Sequence, residues 1–156
     1  DAVALSTRER RRAEPSGPSP GLKSIPSMRP FAALPLVASI RHQGLAELRE
    51  RLRKPLEAIQ GFYEELFQVS DVELLHSPDT GILCFRVKQP VMSPSDLDRL
   101  QEHICRAIGR KGRRAISGTR LDGRPVLRAV AVGPDVTTGS LMGTLSEALQ
   151  IAGAFR

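Results

Sequence analysis

Aromatic side chains are scarce in this chain, which has 4% Phe, Trp and Tyr, one tyrosine and no tryptophan. Domains that bind single-stranded nucleic acid stack bases on exposed rings, so this scarcity argues against a base-stacking platform. The formal net charge of +6 and two basic clusters could attract phosphate groups. No groove-reading motif accompanies the clusters, so we expect them to be solvated and expect no nucleic-acid partner. The clusters are Arg8, Arg10, Arg11 and Arg12, and Arg106, Arg110, Lys111, Arg113 and Arg114.

Signals for disulfides, metal ions and membranes are also missing. The two cysteines, Cys84 and Cys105, are too few and too far apart for a disulfide framework, and they fit a reducing compartment. The three histidines, His42, His76 and His103, match no ligand spacing, so we expect no metal. No apolar run has the length of a membrane span, and no signal peptide is evident. We therefore expect a cytoplasmic protein that does not enter membranes.

The composition divides the 156 residues into three predicted segments. Residues 1–27 are rich in Arg, Pro, Ser and Gly, which predicts a flexible or irregular arm. Residues 28–69 are predicted to be helical, and the family resemblance described below implies that they link to a further large domain. An apolar stripe runs along the second helix of this segment, where Pro55 should kink or split the helix. The stripe consists of Leu45, Leu48, Leu52, Leu56, Ile59, Phe62 and Leu66.

Residues 70–156 alternate between strand and helix patterns. Short strands are predicted over 72–75 and 82–88, and a hairpin over about 114–132. A helix separates them, and a last helix follows the hairpin. The pattern predicts an α+β fold, in which a small antiparallel sheet carries helices on one face and is preceded by one long or kinked helix pair.

The helix between the strands has recognisable ends. Ser93 is a typical N-cap, and Pro94 suits the first helical position because its fixed φ matches the helix. Asp96 would interact favourably with the positive end of the helix dipole. Gly109 is expected to end the helix.

The hairpin contains the candidate site residue. Asp122-Gly123 is typical of a type I′ turn, because both residues tolerate a positive φ. In the strand after it, Arg128 shares one face with Val126 and Val130. A half-buried arginine needs an anionic partner, which could be a structural carboxylate or a substrate. From the residues alone, the structural carboxylate is the more frequent case.

Three blocks of sequence resemble one enzyme family. Residues 118–134 read Gly-Thr-Arg-Leu-Asp-Gly, then Leu-Arg, then a proline, and a Thr-Thr pair follows at residues 137–138. Residues 24–45 begin Ser-Ile-Pro-Ser-Met-Arg and end in a Gly-Leu pair, and residues 81–86 read Gly-Ile-Leu-Cys-Phe-Arg. In this order the blocks are similar to the C-terminal part of group II pyridoxal-phosphate-dependent amino acid decarboxylases, which include the glutamate, aromatic amino acid and diaminobutyrate enzymes.

The resemblance implies a role for two arginines. Arg128 matches the arginine that helps hold a substrate carboxylate in glutamate-type members, and a planar guanidinium suits a bidentate carboxylate. Arg29 matches one arginine of an Arg-Arg pair and is expected to have a structural or interface role. Pro30 stands at the second arginine of that pair and Ala32 at the usual aspartate.

The family's cofactor lysine, in a Ser-x-His-Lys motif, has no counterpart among Lys23, Lys54, Lys88 and Lys111. We therefore expect pyridoxal phosphate to be bound mainly by a part of the protein outside this sequence, and the chain alone to be inactive. It could be a fragment, a split subunit or a degenerate relative. The expected partners are an amino acid substrate and either a second copy or a complementary large-domain segment. The alternative is a non-catalytic, decarboxylase-like interaction or dimerisation module.

Overall fold

The computed structural model describes Phe31 and residues 33–155. Arg29 and the predicted arm over residues 1–27 lie outside the described residues. The chain divides into two compact units, Asp1–Gln43 and Gly44–Arg156, and the first contains helix α1, Ala33–Gln43. The elements of the second unit are α2 Leu45–Phe67, β1 Val72–Leu74, β2 Ile82–Val87, α3 Pro94–Lys111, β3 Ser117–Leu121, β4 Arg124–Val130 and α4 Thr138–Ala154.

The four strands of the second unit form one antiparallel sheet in the order β1-β2-β4-β3. This confirms the predicted α+β fold. Phe85 lies opposite Leu127 across the β2–β4 pair, and Cys84 lies opposite Arg128. Because successive side chains of a strand point to opposite faces, Phe85 and Leu127 belong to one face, here called the inner face. Cys84 and Arg128 belong to the other, the outer face.

The inner face carries the core, and helices α2, α3 and α4 pack against it. Its buried residues cluster with apolar residues from all three helices. Phe62 of α2 meets Phe85 edge-to-face, with ring centroids 5.9 Å apart. Burying each such large side chain contributes about 1.5–3 kcal/mol. The largest fully buried apolar residues are Ile59, Phe62, Leu66, Leu83, Phe85, Val87, Leu100, Ile104, Ile108, Leu127 and Leu145.

Helix α3 begins where the sequence predicts and ends three residues later than expected. The Ser93 hydroxyl accepts a hydrogen bond from the backbone N–H of Asp96, and Pro94 is the first helical residue. The helix passes through Gly109 and ends at Lys111, because Gly112, with a φ of 67°, adopts the left-handed conformation of the C-cap. The prediction that Gly109 ends the helix is therefore wrong.

Helix α2 is continuous through Pro55, which lies inside it, so the helix is not split there. The apolar stripe of α2 is buried along only part of its length. Ile59 and Phe62 are each 1% exposed, whereas Leu52 is 61% and Leu56 49% exposed. Most of the N-terminal half of the stripe is therefore exposed within the described part of the chain, although Leu48 is partly buried.

Candidate functional site

The β3–β4 hairpin sets the register of the candidate site. Asp122 has a φ of 50° and Gly123 a φ of 77°, and two consecutive positive values are what a type I′ turn requires. This confirms the turn predicted from Asp-Gly. The two-residue turn fixes the pairing of the strands, which places Ser117 of β3 directly opposite Arg128 of β4.

Arg128 is half-buried on the outer face, and a hydroxyl group holds its side chain. The Nε–H of Arg128 donates to Ser117 Oγ at 2.9 Å. The Ser117 hydroxyl in turn donates to the backbone carbonyl of Arg128 at 3.2 Å. Within residues 33–155, no carboxylate forms an ion pair with Arg128. Of the two anionic partners left open by the sequence, the structural carboxylate is thus not found in this part of the chain.

A second arginine on the outer face, Arg86, differs from Arg128 because carboxylates lie close to its guanidinium. Its side chain is 3% exposed, and one Nη lies 2.7 Å from Asp98 Oδ1. Its other Nη donates to the Pro125 carbonyl at 2.5 Å, and its Nε lies 4.0 Å from Glu73. Arg86 is therefore a structural ion-pair member. In the sequence, Arg86 is the last residue of the block over residues 81–86, and nothing near it points to Asp98.

Cys84 lies directly opposite Arg128 on the outer face, two residues before Arg86, and its thiol is uncharged. Burial raises the pKa of its thiol, an effect that the neighbouring Arg128 guanidinium partly opposes. The backbone N–H of Cys84 donates to Nε2 of His76 at 3.1 Å, and Nδ1 of His76 lies 2.7 Å from the Ser77 carbonyl oxygen. The thiol stays protonated at neutral pH, so Cys84 supplies no negative charge to Arg128.

The described residues contain no lysine suited to anchor pyridoxal phosphate. Such a lysine needs surroundings that lower its pKa, so that the neutral amine can attack. Lys54 and Lys88 are exposed, and the Lys111 ammonium forms an ion pair with Glu147, with 2.9 Å between Nζ and Oε1. The described part of the chain does not fit the cofactor's anchoring site, and Lys23 lies outside it.

Other kinds of site find no support in the described residues. No cluster of His, Cys, Asp or Glu there could hold a metal ion. None of the described helices combines the length and the apolar character that crossing a bilayer requires. Both described cysteines are free.

Comparison with known proteins gives matches by structure. No family model matches the chain, and no curated protein matches it by sequence. The glutamate decarboxylase domain of diaminobutyrate-pyruvate transaminase and L-2,4-diaminobutyrate decarboxylase from Vibrio parahaemolyticus has a TM-score of 0.70 at 21% identity over 80% of this chain. Oryza sativa TDC with PLP and tryptamine has a TM-score of 0.70 at 21% identity over 81% of this chain. Mouse CSAD in apo form has a TM-score of 0.72 at 20% identity over 91% of this chain.

This chain spans 26%, 27% and 33% of those three chains, respectively. The fold implied by the sequence resemblance is confirmed: the chain has the fold of the C-terminal part of group II pyridoxal-phosphate-dependent decarboxylases.

Proposed function

We propose that this chain is the C-terminal portion of a pyridoxal-phosphate-dependent amino acid decarboxylase, a carboxy-lyase, and that Arg128 binds a carboxylate of the substrate. The cofactor would be held by the larger part of the protein, because the described lysines do not suit it. The observation that carries the proposal is the half-buried Arg128, whose one described side-chain partner is a neutral hydroxyl.

The electrostatics of the outer face support a ligand at Arg128. A half-buried guanidinium without a counter-charge raises the free energy of the folded state. A carboxylate ligand would remove this cost and form charge-assisted hydrogen bonds to the guanidinium. Arg128 would then orient the substrate and neutralise one carboxylate. Arg29 is proposed to contribute an interface contact in the assembled protein.

Replacing Arg128 by lysine tests the proposal in the complete decarboxylase, meaning this chain together with its cofactor-binding part. Lysine keeps the charge and loses the planar fork. A hydrogen bond to a charged group is worth about 1.5–3 kcal/mol, so kcat/KM should fall by about one to two orders of magnitude. The melting temperature should change little, because Arg128 has no ionic partner within the described part of the chain. Carbon dioxide release is measured with glutamate, aromatic amino acids and 2,4-diaminobutyrate.

Arg120→Lys is the matched control. Arg120 lies in the same hairpin, and its ion pair with Glu102 is exposed, so neither turnover nor melting temperature should change. If Arg128→Lys lowers the melting temperature and leaves turnover unchanged, Arg128 is a structural residue and the proposal is wrong.

The exposed half of the α2 stripe favours a second candidate function, a non-catalytic interaction module. Leu45, Leu52 and Leu56 are 51%, 61% and 49% exposed. They lie seven and four residues apart and so share one helix face. Contiguous exposed apolar surface normally marks an interface. In the decarboxylase the same face would pack against the larger part of the protein or a second copy.

Analytical ultracentrifugation of the chain, alone and with the cofactor-binding part, tests the interface. Leu52→Glu should weaken association without unfolding the chain, because Leu52 is exposed. Val91→Glu, at a position that is 99% exposed, is the control and should change nothing. Association with measurable carboxy-lyase activity supports the enzyme, whereas association without activity on any of the substrates supports the module. The free, protonated cysteines fit a reducing compartment, and we propose a cytoplasmic location.

A further inference from the structure

Ser117 and Arg128 form a closed pair of hydrogen bonds across the β3–β4 ladder. Ser117 Oγ accepts from Arg128 Nε at 2.9 Å and donates to the Arg128 carbonyl at 3.2 Å. A hydroxyl has one hydrogen to donate and two lone pairs to accept with. Since the backbone carbonyl takes the hydrogen, the oxygen presents a lone pair to the guanidinium. The hydroxyl thus has a single orientation, and that orientation suits Nε–H.

The occupied Nε limits how Arg128 can bind an anion. A guanidinium offers five N–H groups in a fixed plane, and a carboxylate can bind in a bidentate manner along the edge formed by Nη1 and Nη2 or along the edge that includes Nε. Ser117 already uses Nε–H. The edge formed by Nη1 and Nη2 has no partner within residues 33–155.

We propose that Ser117 is a positioning residue that fixes Arg128 to bind the substrate carboxylate end-on, through Nη1 and Nη2. This inference rests on the function proposed above and deepens it, because it names the binding geometry and the residue that sets it. Ser117 touches neither substrate nor cofactor and acts through Arg128.

The neighbours of Arg128 on the outer face are suited to this geometry. Ile82 and Val130 lie opposite each other one side-chain step further along the face and are 37% and 40% exposed. Opposite Arg128 itself lies Cys84, a neutral thiol that is 5% exposed. None of these side chains can accept a strong ionic hydrogen bond, so the guanidinium edge stays available. Apolar neighbours also lower the local dielectric constant, which strengthens a charge pair formed there.

The first test measures the Arg128 side chain directly, by hydrogen exchange of its Nε–H in NMR spectra of the 15N-labelled 156-residue chain. The resonance is assigned by its loss in Arg128→Lys. An intramolecular hydrogen bond is worth about 1 kcal/mol net, so Ser117→Ala should speed exchange by about fivefold. Ser117→Thr keeps the hydroxyl and should keep the slow exchange. Thr119→Ala removes a hydroxyl from the same face of the same strand and should have no effect.

The second test measures steady-state kinetics of the complete decarboxylase. Ser117→Ala should raise KM by about fivefold with a smaller change in kcat, since a poorly oriented fork mainly weakens carboxylate binding. Ser117→Thr should restore KM. In the Arg128→Lys background, Ser117→Ala should have no further effect, because lysine has no Nε–H fork for the serine to orient.

The outcomes separate this inference from the proposed function. If Arg128→Lys leaves turnover unchanged, the proposed function is wrong and the inference falls with it. If Arg128→Lys impairs turnover but Ser117→Ala changes neither exchange nor KM, only the role of Ser117 is wrong. Faster exchange with an unchanged KM also overturns that role, since orientation by Ser117 would not matter for binding.

Discussion

The buried pair of Arg86 and Asp98 should respond asymmetrically to loss of either partner. The Arg86 side chain is 3% exposed and that of Asp98 is 37% exposed. Removing Asp98 leaves a buried guanidinium with the Pro125 carbonyl and with Glu73, 4.0 Å away. Removing Arg86 leaves carboxylates that water can reach. We therefore expect Asp98→Ala to destabilise the fold more than Arg86→Met.

The magnitudes follow from the same surroundings. Breaking a buried ion pair from one side costs about 3–5 kcal/mol, and Glu73 and the partial exposure of Asp98 reduce this to about 2–3 kcal/mol. Arg86→Met keeps most of the buried volume and removes the charge. Its main loss is the hydrogen bond to the Pro125 carbonyl, which costs about 1 kcal/mol.

Urea unfolding of the chain, with the free energy of unfolding extrapolated to water, measures both variants. Glu102→Ala is the control, because Glu102 lies on the same helix and its pair with Arg120 is exposed at both side chains. That variant should cost less than about 0.5 kcal/mol. The reasoning is refuted if Arg86→Met costs as much as Asp98→Ala, or if Asp98→Ala costs no more than Glu102→Ala.

Gly81→Ala should cost about 1–3 kcal/mol in urea unfolding, because a Cβ at Gly81 would overlap the backbone carbonyl oxygen of Ala131, which cannot move aside easily. Gly153→Ala, at a helical position with open space around it, should be neutral or stabilising, and equal costs for the two changes would contradict this account. Glu147→Gln should destabilise the chain at neutral pH. The Lys111 ammonium holds the pKa of Glu147 below its usual value of 4.5, so this stabilisation is present above pH 4.5 and lost as pH falls below it. Unfolding curves of variant and parent should converge in acid, and a constant difference down to pH 2 would count against the interaction.

The features predicted correctly from the sequence are those that neighbouring residues determine. The turn at Asp122-Gly123 is predictable because it depends only on the positive φ values of these two residues. The Ser93-Pro94 start of α3 is similarly local, since the cap and the first helical residue adjoin each other. The prediction that Gly109 ends α3 was wrong, because the residues near Gly109 do not determine where the left-handed conformation occurs; the fold places it at Gly112.

Features that depend on contacts between distant residues were not predictable in the same way. Arg86 and Asp98 are 12 residues apart, on a strand and a helix, and only the packing of α3 on the sheet brings them together. The α2 stripe has one period along its whole length, yet Phe62 is buried and Leu52 is not. Periodicity indicates which face is apolar, whereas what covers that face depends on elements elsewhere in the chain or in a partner.

The two outer-face arginines differ in the groups that surround their guanidinium groups. Both lie on central strands of the same sheet, and both are at least half-buried. The fold gives Arg86 a carboxylate at 2.7 Å and a second at 4.0 Å, which is how a structural guanidinium is usually stabilised. Arg128 receives one neutral hydroxyl, on Nε, and lies opposite the uncharged Cys84. This difference supports the proposal that Arg128 binds a carboxylate that arrives from outside the described part of the chain.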